Sequence, residues 1–113
     1  MLFRWLKQRR RHALLAEAFP APWLEILRER VVLYRYLEEA EQAKLRDALR
    51  ILVAEKAWEG CKGLKLTDEI RVTIAALASI LLLGLRDSYY DNVVTILVYP
   101  EAFRVPEQRP LAG

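Results

Sequence analysis

A single histidine, His12, and a single cysteine, Cys61, bound the chemistry open to this 113-residue chain. Protein zinc sites draw three or four ligands from histidine, cysteine and carboxylates, usually with paired ligands closely spaced. Counting alone therefore excludes any two-histidine metal site within one chain and every paired-cysteine zinc motif. A mixed site of His12, Cys61 and carboxylates is the residual option, disfavoured by the distance between them in sequence. One cysteine cannot form an internal disulfide and no secretion signal precedes it, so a reducing cytoplasm is the expected compartment.

Other constellations fail on spacing. Gly60-Cys61-Lys62-Gly63 lacks the length of a phosphate-binding loop and the Ser or Thr after its lysine, and reads as a tight turn. Neither Ser79 nor Ser88 sits in a G-x-S-x-G elbow. Glu55 and Glu59 are four residues apart and would share one face of a helix, where paired carboxylates can divide acid and base roles. Lys56 and Lys62 beside them argue for a solvated charged end instead. Cys61 next to Lys62 could be mildly activated, although a small buried residue is the plainer reading. Tyr34 with Tyr36, and Tyr89 with Tyr90, could stack on bases, but no lysines and arginines interleave them, which favours core and turn packing. These parts do not make a self-contained enzyme: no catalytic, cofactor-binding or metal-ligating residue is assigned.

Stepping out to composition, 54% hydrophobic and 29% charged content suits one globular domain and excludes a disordered, collagen-like or disulfide-scaffold chain. The net charge of +3 is concentrated: Arg4, Lys7, Arg9, Arg10 and Arg11 precede the first acid, Glu17, and the remainder is slightly acidic. Leu2, Phe3, Trp5 and Leu6 lie among these cations. The expected arrangement is a solvated first helix whose aromatic face packs on the domain, with contact to nucleic acid or an anionic membrane as the alternative. The longest uncharged stretch, Val72 to Leu85, is shorter than the ~20 residues that cross a bilayer, so no transmembrane segment is expected.

Periodicity supplies the elements. Pro20 and Pro22 stop the first helical segment. Leu24, Leu27, Val31 and Tyr34 predict a second helix from Trp23 to about Leu37. Leu45, Leu49, Leu52 and Val53 predict a third from about Glu39 to Trp58, with Glu38, Glu39 and Glu41 at its positive end and Gly60 in the left-handed cap position. Leu64-Lys65-Leu66 alternates like a short edge strand. Thr67 can cap a fourth helix from Asp68 to about Leu85, apolar on nearly every side and hence expected at the centre of the domain, with Ile74, Leu77, Ile80, Leu81 and Leu82 buried. Tyr89 to Asn92 is turn-like, and the β-branched run Val93–Tyr99 predicts a strand buried on both faces. One such strand needs two neighbours, and only Leu64–Leu66 is offered. Part of the sheet is therefore expected to be missing.

The order of these pieces resembles a known family. Phe3-Arg-Trp-Leu, the Trp23-Leu segment, Trp58-Glu-Gly60, then Gly63-Leu-Lys-Leu-Thr-Asp-Glu-Ile-Arg-Val-Thr-Ile-Ala-Ala76 and Ile96-Leu-Val-Tyr-Pro100 with Phe103 look like the N-terminal part of the Mlc titration factor A family of bacterial zinc-dependent peptidases. The resemblance implies a cytoplasmic, gluzincin-like metallopeptidase with aminopeptidase-type activity, whose founding member binds the glucose repressor Mlc. It implies zinc held by an HExxH helix and a downstream glutamate. In the family these follow the Tyr-Pro strand, so no ligand and no general base carries onto any position here.

The resulting expectation is an α+β, predominantly helical, incomplete scaffold: about four helices with strands at 64–66 and 93–99. Residues 1–20 form the basic N-terminal segment, 21–104 the scaffold domain and 105–113 a loose tail. The first functional reading is the N-terminal scaffold of a zinc peptidase, truncated or a fragment, inactive alone. A second is an interaction module that meets a transcriptional regulator of the Mlc type or itself. The third is an anionic-surface binder acting through Arg4, Lys7, Arg9, Arg10 and Arg11.

Overall fold

Two prolines mark the start of the second helix. The computed structural model describes residues 2–83 and 94–100. Helix α1 (Leu2–Ala16) ends before Pro20, which stands extended at the N-cap of α2 (Ala21–Arg30), while Pro22 sits in the first turn of α2, where its missing N–H costs nothing. Rather than running on to Leu37, α2 stops at Val31, and Val32–Tyr36 form a separate 3-10 turn. The β-branched pair Val31-Val32 weakens helix propagation at that point. The turn swings Tyr34 into the core, where Gln42 Nε2 donates to its carbonyl (2.8 Å) and Arg46 Nη1 to its hydroxyl (2.7 Å).

Helix α3 (Glu39–Glu55) opens with the Glu41 carboxylate accepting the Glu38 N–H at 3.2 Å, one half of a capping box. It ends three residues earlier than its periodicity predicts, because Lys56 takes an extended conformation (φ −85°, ψ 149°) and the chain continues as strand β1 (Ala57–Gly60). Trp58 and Gly60 are thus strand residues, not helix and cap. The strand expected at Leu64–Leu66 does not form. That stretch leads into the fourth helix with Leu64 and Leu66 half-buried and Lys65 exposed, so the alternation reports burial without a ladder. The left-handed backbone falls instead on Lys62 (φ 54°) and Gly63 (φ 78°).

Helix α4 (Asp68–Leu83) is capped as expected: Thr67 Oγ1 accepts the Ile70 N–H at 3.2 Å. It is not buried all round. Val72, Ala75, Ala76 and Ser79 make the buried stripe, Ile74 and Ile80 are half-buried, and Leu77 and Leu81 are 50% and 62% exposed. The buried stripe is of small residues, which lets α4 lie close on α3. Ser79 spends its hydroxyl on the Ala75 carbonyl, 2.7 Å away.

Strand β2 (Thr95–Val98) pairs in parallel with β1, Ala57 opposite Thr95 and Gly60 opposite Val98. The bonds Ala57 N–H to Val94 carbonyl (2.9 Å) and Cys61 N–H to Val98 carbonyl (2.8 Å) close the two ends of the ladder. With α4 between them, β1 and β2 form a β-α-β unit. The strand is shorter than the predicted 93–99 and is not buried on both faces: Val98 is buried, whereas Val94, Leu97 and Tyr99 are exposed. Among the described residues the sheet has two strands. Val93, the predicted turn at Tyr89–Asn92, Ser88, Phe103 and the 105–113 tail lie outside the described residues.

The core gathers Leu27, Val31, Tyr34, Leu45, Leu49, Leu52, Val72, Ala75 and Ala76 from α2, the 3-10 turn, α3 and α4. The architecture is α+β and predominantly helical.

Candidate functional site

The strongest polar constellation in the described chain joins α1 to the end of α3. Arg11 is buried (8% exposed), and its Nε and Nη2 donate to Glu55 Oε2 and Oε1 at 2.6 and 2.7 Å. This side-on pairing matches the flat guanidinium to the flat carboxylate and uses both acceptor oxygens. The hydrogen bonds from Arg11 hold the Glu55 carboxyl below its ordinary 4.5, against the opposing effect of burial; the positive charges of Arg11, Lys7 and Lys56 act in the same direction.

The pair corrects two expectations. The aromatic face of α1 does not pack on the domain: Phe3 and Trp5 are exposed, and Arg11 is the residue that docks the helix. Glu55 and Glu59 do not share a helix face either, since Glu55 ends α3 and Glu59 belongs to β1. Lys56 is buried rather than solvated. Sequence reasoning missed the Arg11–Glu55 link because the partners are 44 positions apart and no local pattern marks either one. A buried arginine on α1 needs a carboxylate, but the sequence offers fifteen acids from which to choose.

A second arginine pins the connection between α1 and α2. Arg50, 7% exposed on α3, donates through Nη1 to the Glu17 carbonyl at 2.7 Å and lies 5.9 Å over the Phe19 ring, which meets Trp23 edge-on at 6.1 Å. Two arginines and one carboxylate thus hold α1 and the segment that follows it.

An expected outcome follows for the pair. Glu55→Gln should lower unfolding stability by about 2 kcal/mol, Arg11→Ala by a similar amount, and the double variant by little more than either. The folded carboxyl titrates below the unfolded one, so its stabilisation is complete above about pH 4.5 and is lost as pH falls through the folded value. Urea titrations should therefore show a constant gap between wild type and Glu55→Gln near neutrality that closes in acid.

Between α1, the end of α3 and the start of β2 lies an open groove of about 670 Å³, with Phe3, Leu14 and Val94 against Lys7, Arg10 and Lys56. The groove is basic and apolar together.

The other candidates stay apart. His12 is exposed on α1, and Cys61 is a half-buried free thiol after β1. Among the described residues, no group of three or more His, Cys, Asp or Glu side chains could hold a metal ion. Tyr34 is buried in the core while Tyr36 is exposed, so the two do not form a stacking platform; Tyr89 and Tyr90 lie outside the described residues. No helix among the described residues is long and apolar enough to cross a membrane.

Comparison with known proteins places these elements. The chain is 38% identical over 101 residues to the uncharacterised protein slr2042 of Synechocystis sp. (strain ATCC 27184 / PCC 6803 / Kazusa). That match takes in 89% of this chain but 36% of the relative, so the chain spans about a third of that protein's length. No solved structure matches it with significance. The family model for glucose-regulated metallo-peptidase M90 aligns with residues 4–111, from the first turn of α1 to beyond β2. The chain belongs to the glucose-regulated metallo-peptidase M90 family.

Proposed function

We propose that this chain is the non-catalytic scaffold of an M90-type zinc peptidase, carrying the helices and the β1–α4–β2 unit on which a zinc-binding part is built. The observation that carries this reading is the single histidine in a chain that matches the family over nearly its full length. An HExxH site needs two histidines one helical turn apart, converging on Zn²⁺, with the glutamate between them acting on the bound water. The sheet supports the same reading: Val94, Leu97 and Tyr99 on and beside β2 and Leu77 and Leu81 on α4 are exposed apolar residues of the kind further structure would cover. By this reading the complete protein is a cytoplasmic hydrolase of peptide bonds, and this chain has none of that activity by itself.

The test is metal content and turnover. The purified 113-residue chain, equilibrated with zinc and then desalted, should retain no stoichiometric zinc by elemental analysis and should not cleave aminopeptidase substrates. One tightly bound zinc per monomer would overturn the reading.

The exposed strand residues also favour a second reading, an interaction module that meets a transcriptional regulator or a second copy through β2. Sedimentation separates the two: dimerisation that is insensitive to salt and abolished by Leu97→Glu belongs to the module, because apolar contact does not depend on counterions.

A further inference from the structure

Helix α1 is docked the wrong way round for an ordinary surface helix. Its C-terminal half is held by Arg11 on Glu55, a charged contact, so the side carrying Lys7 and Arg11 lies towards the domain. The opposite sector carries Leu2, Phe3 and Trp5 outward, at 65%, 84% and 53% exposed, with Leu6 half-buried. Three large apolar side chains in the N-terminal turns thus face water, while further along the same helix an arginine is buried.

Their surroundings are positive. Arg4, Arg9 and Arg10 are exposed among them, Arg9 lies 5.0 Å over the Trp5 ring, and no acid precedes Glu17. Beside Phe3 opens the groove whose walls include Lys7, Arg10 and Lys56. Among the described residues Glu55 is the one carboxylate lining it, and it is engaged by Arg11.

We infer that α1 is an interfacial anchor for a bilayer containing anionic phospholipid, with Leu2, Phe3 and Trp5 entering the headgroup–acyl boundary and Arg4, Arg9 and Arg10 meeting lipid phosphates. Charge complementarity selects this occupant. A second copy of the helix would bring two strongly positive segments together, which like-charge repulsion opposes. Nucleic acid would satisfy the arginines but leaves the leucine and phenylalanine without a partner. An anionic membrane satisfies both, since apolar side chains and a basic cluster supply the two separate signals that stable peripheral binding requires. Trp5 is of the residue type enriched at the membrane–water boundary. The groove gives a phosphate headgroup a basic wall next to the inserted residues. This inference is independent of the zinc reading, since nothing in it depends on catalysis.

The experiment is co-sedimentation of the full 113-residue chain with phosphatidylcholine vesicles, with and without phosphatidylglycerol, at low and high salt. Leu2→Asp/Phe3→Asp and Arg9→Glu/Arg10→Glu are the variants, with far-UV circular dichroism to verify that each is folded. All four positions are exposed, so neither variant disturbs the core. The expected result is binding to phosphatidylglycerol vesicles, none to phosphatidylcholine alone, weakening with salt, and a loss of about tenfold or more for each variant. Absence of binding to phosphatidylglycerol vesicles at low salt overturns the inference. So does equal binding to neutral vesicles, or binding by Leu2→Asp/Phe3→Asp at wild-type strength. Displacement from vesicles by duplex DNA with no dependence on Leu2 and Phe3 assigns the segment to nucleic acid and overturns it as well.

Discussion

Gly60→Ala is expected to destabilise the fold by about 3 kcal/mol, the upper end of the overpacking range. Gly60 is a strand residue without left-handed backbone, so the usual conformational reason for glycine does not apply to it. The reason is steric. A Cβ at this position would stand 2.1 Å from the Leu64 carbonyl oxygen, 3.0 Å from its carbon and 3.4 Å from Leu66 Cγ. The first two are backbone atoms and cannot rotate away. Relief requires moving the Cys61–Thr67 turn, which feeds α4, or moving β1 off β2. Gly63 is the matched control: it has φ +78° and nothing within 4 Å of an added Cβ. There the cost is the backbone term alone, about 1 kcal/mol. Thermal unfolding should show a Gly60→Ala midpoint lower by roughly 10 °C or more, and a several-fold smaller shift for Gly63→Ala. Equal shifts would mean that Leu64 does not press on Gly60.

Leu49→Ala should cost about 4 kcal/mol, in the upper half of the range for leucine truncation. Leu49 is fully buried in the cluster shared by α2, α3 and α4. What sets the cost is how far the neighbourhood can close over the void. Two members of the cluster, Ala75 and Ala76, have no side-chain rotamers with which to fill it, and both are held on a helix whose buried stripe is already small. The cavity should therefore stay open, and its lining loses contacts on one side. Leu77→Ala on the exposed face of the same α4 should change stability by about 0.5 kcal/mol. Urea midpoints at constant slope would establish the contrast, and a changed slope would point to a different unfolded ensemble instead.

What the residues revealed in advance, and what they did not, divides by the range of the interactions involved. The Thr67 cap, the start of α3 behind Glu38 and the start of α4 were readable because each is settled within a few positions of sequence. The end of α3 was not. Residues 56–60 carry no strong strand signal, and they become a strand because Thr95–Val98 offers a ladder from the far side of α4. The same holds for α4 itself. Hydropathy alone placed nearly its whole circumference inside, whereas among the described residues only Val72, Ala75, Ala76 and Ser79 of this helix are buried. A sequence can show that a face wants cover without showing what covers it. For α1 the error ran the other way: aromatics were expected inward, yet the specific bidentate acceptor at Glu55 drew Arg11 inward instead. Counting one histidine and one cysteine was enough to exclude a two-histidine or paired-cysteine metal site within one chain, since no folding can multiply them.

The parallel register of β1 and β2 carries a consequence for the order of events in folding. Ala57 meets Thr95 only after the whole of α4 has been laid down between them, so the ladder closes a long loop and is late by its topology. Helices α3 and α4, which pack on each other and are nearer in sequence, can assemble first. On a ribosome, β1 would emerge well before its partner strand, its amides unpaired for the time needed to synthesise the intervening residues. Gly60 and the short length of β1 then take on a protective value, because a four-residue strand ending in glycine is a poor template for pairing with a neighbouring nascent chain.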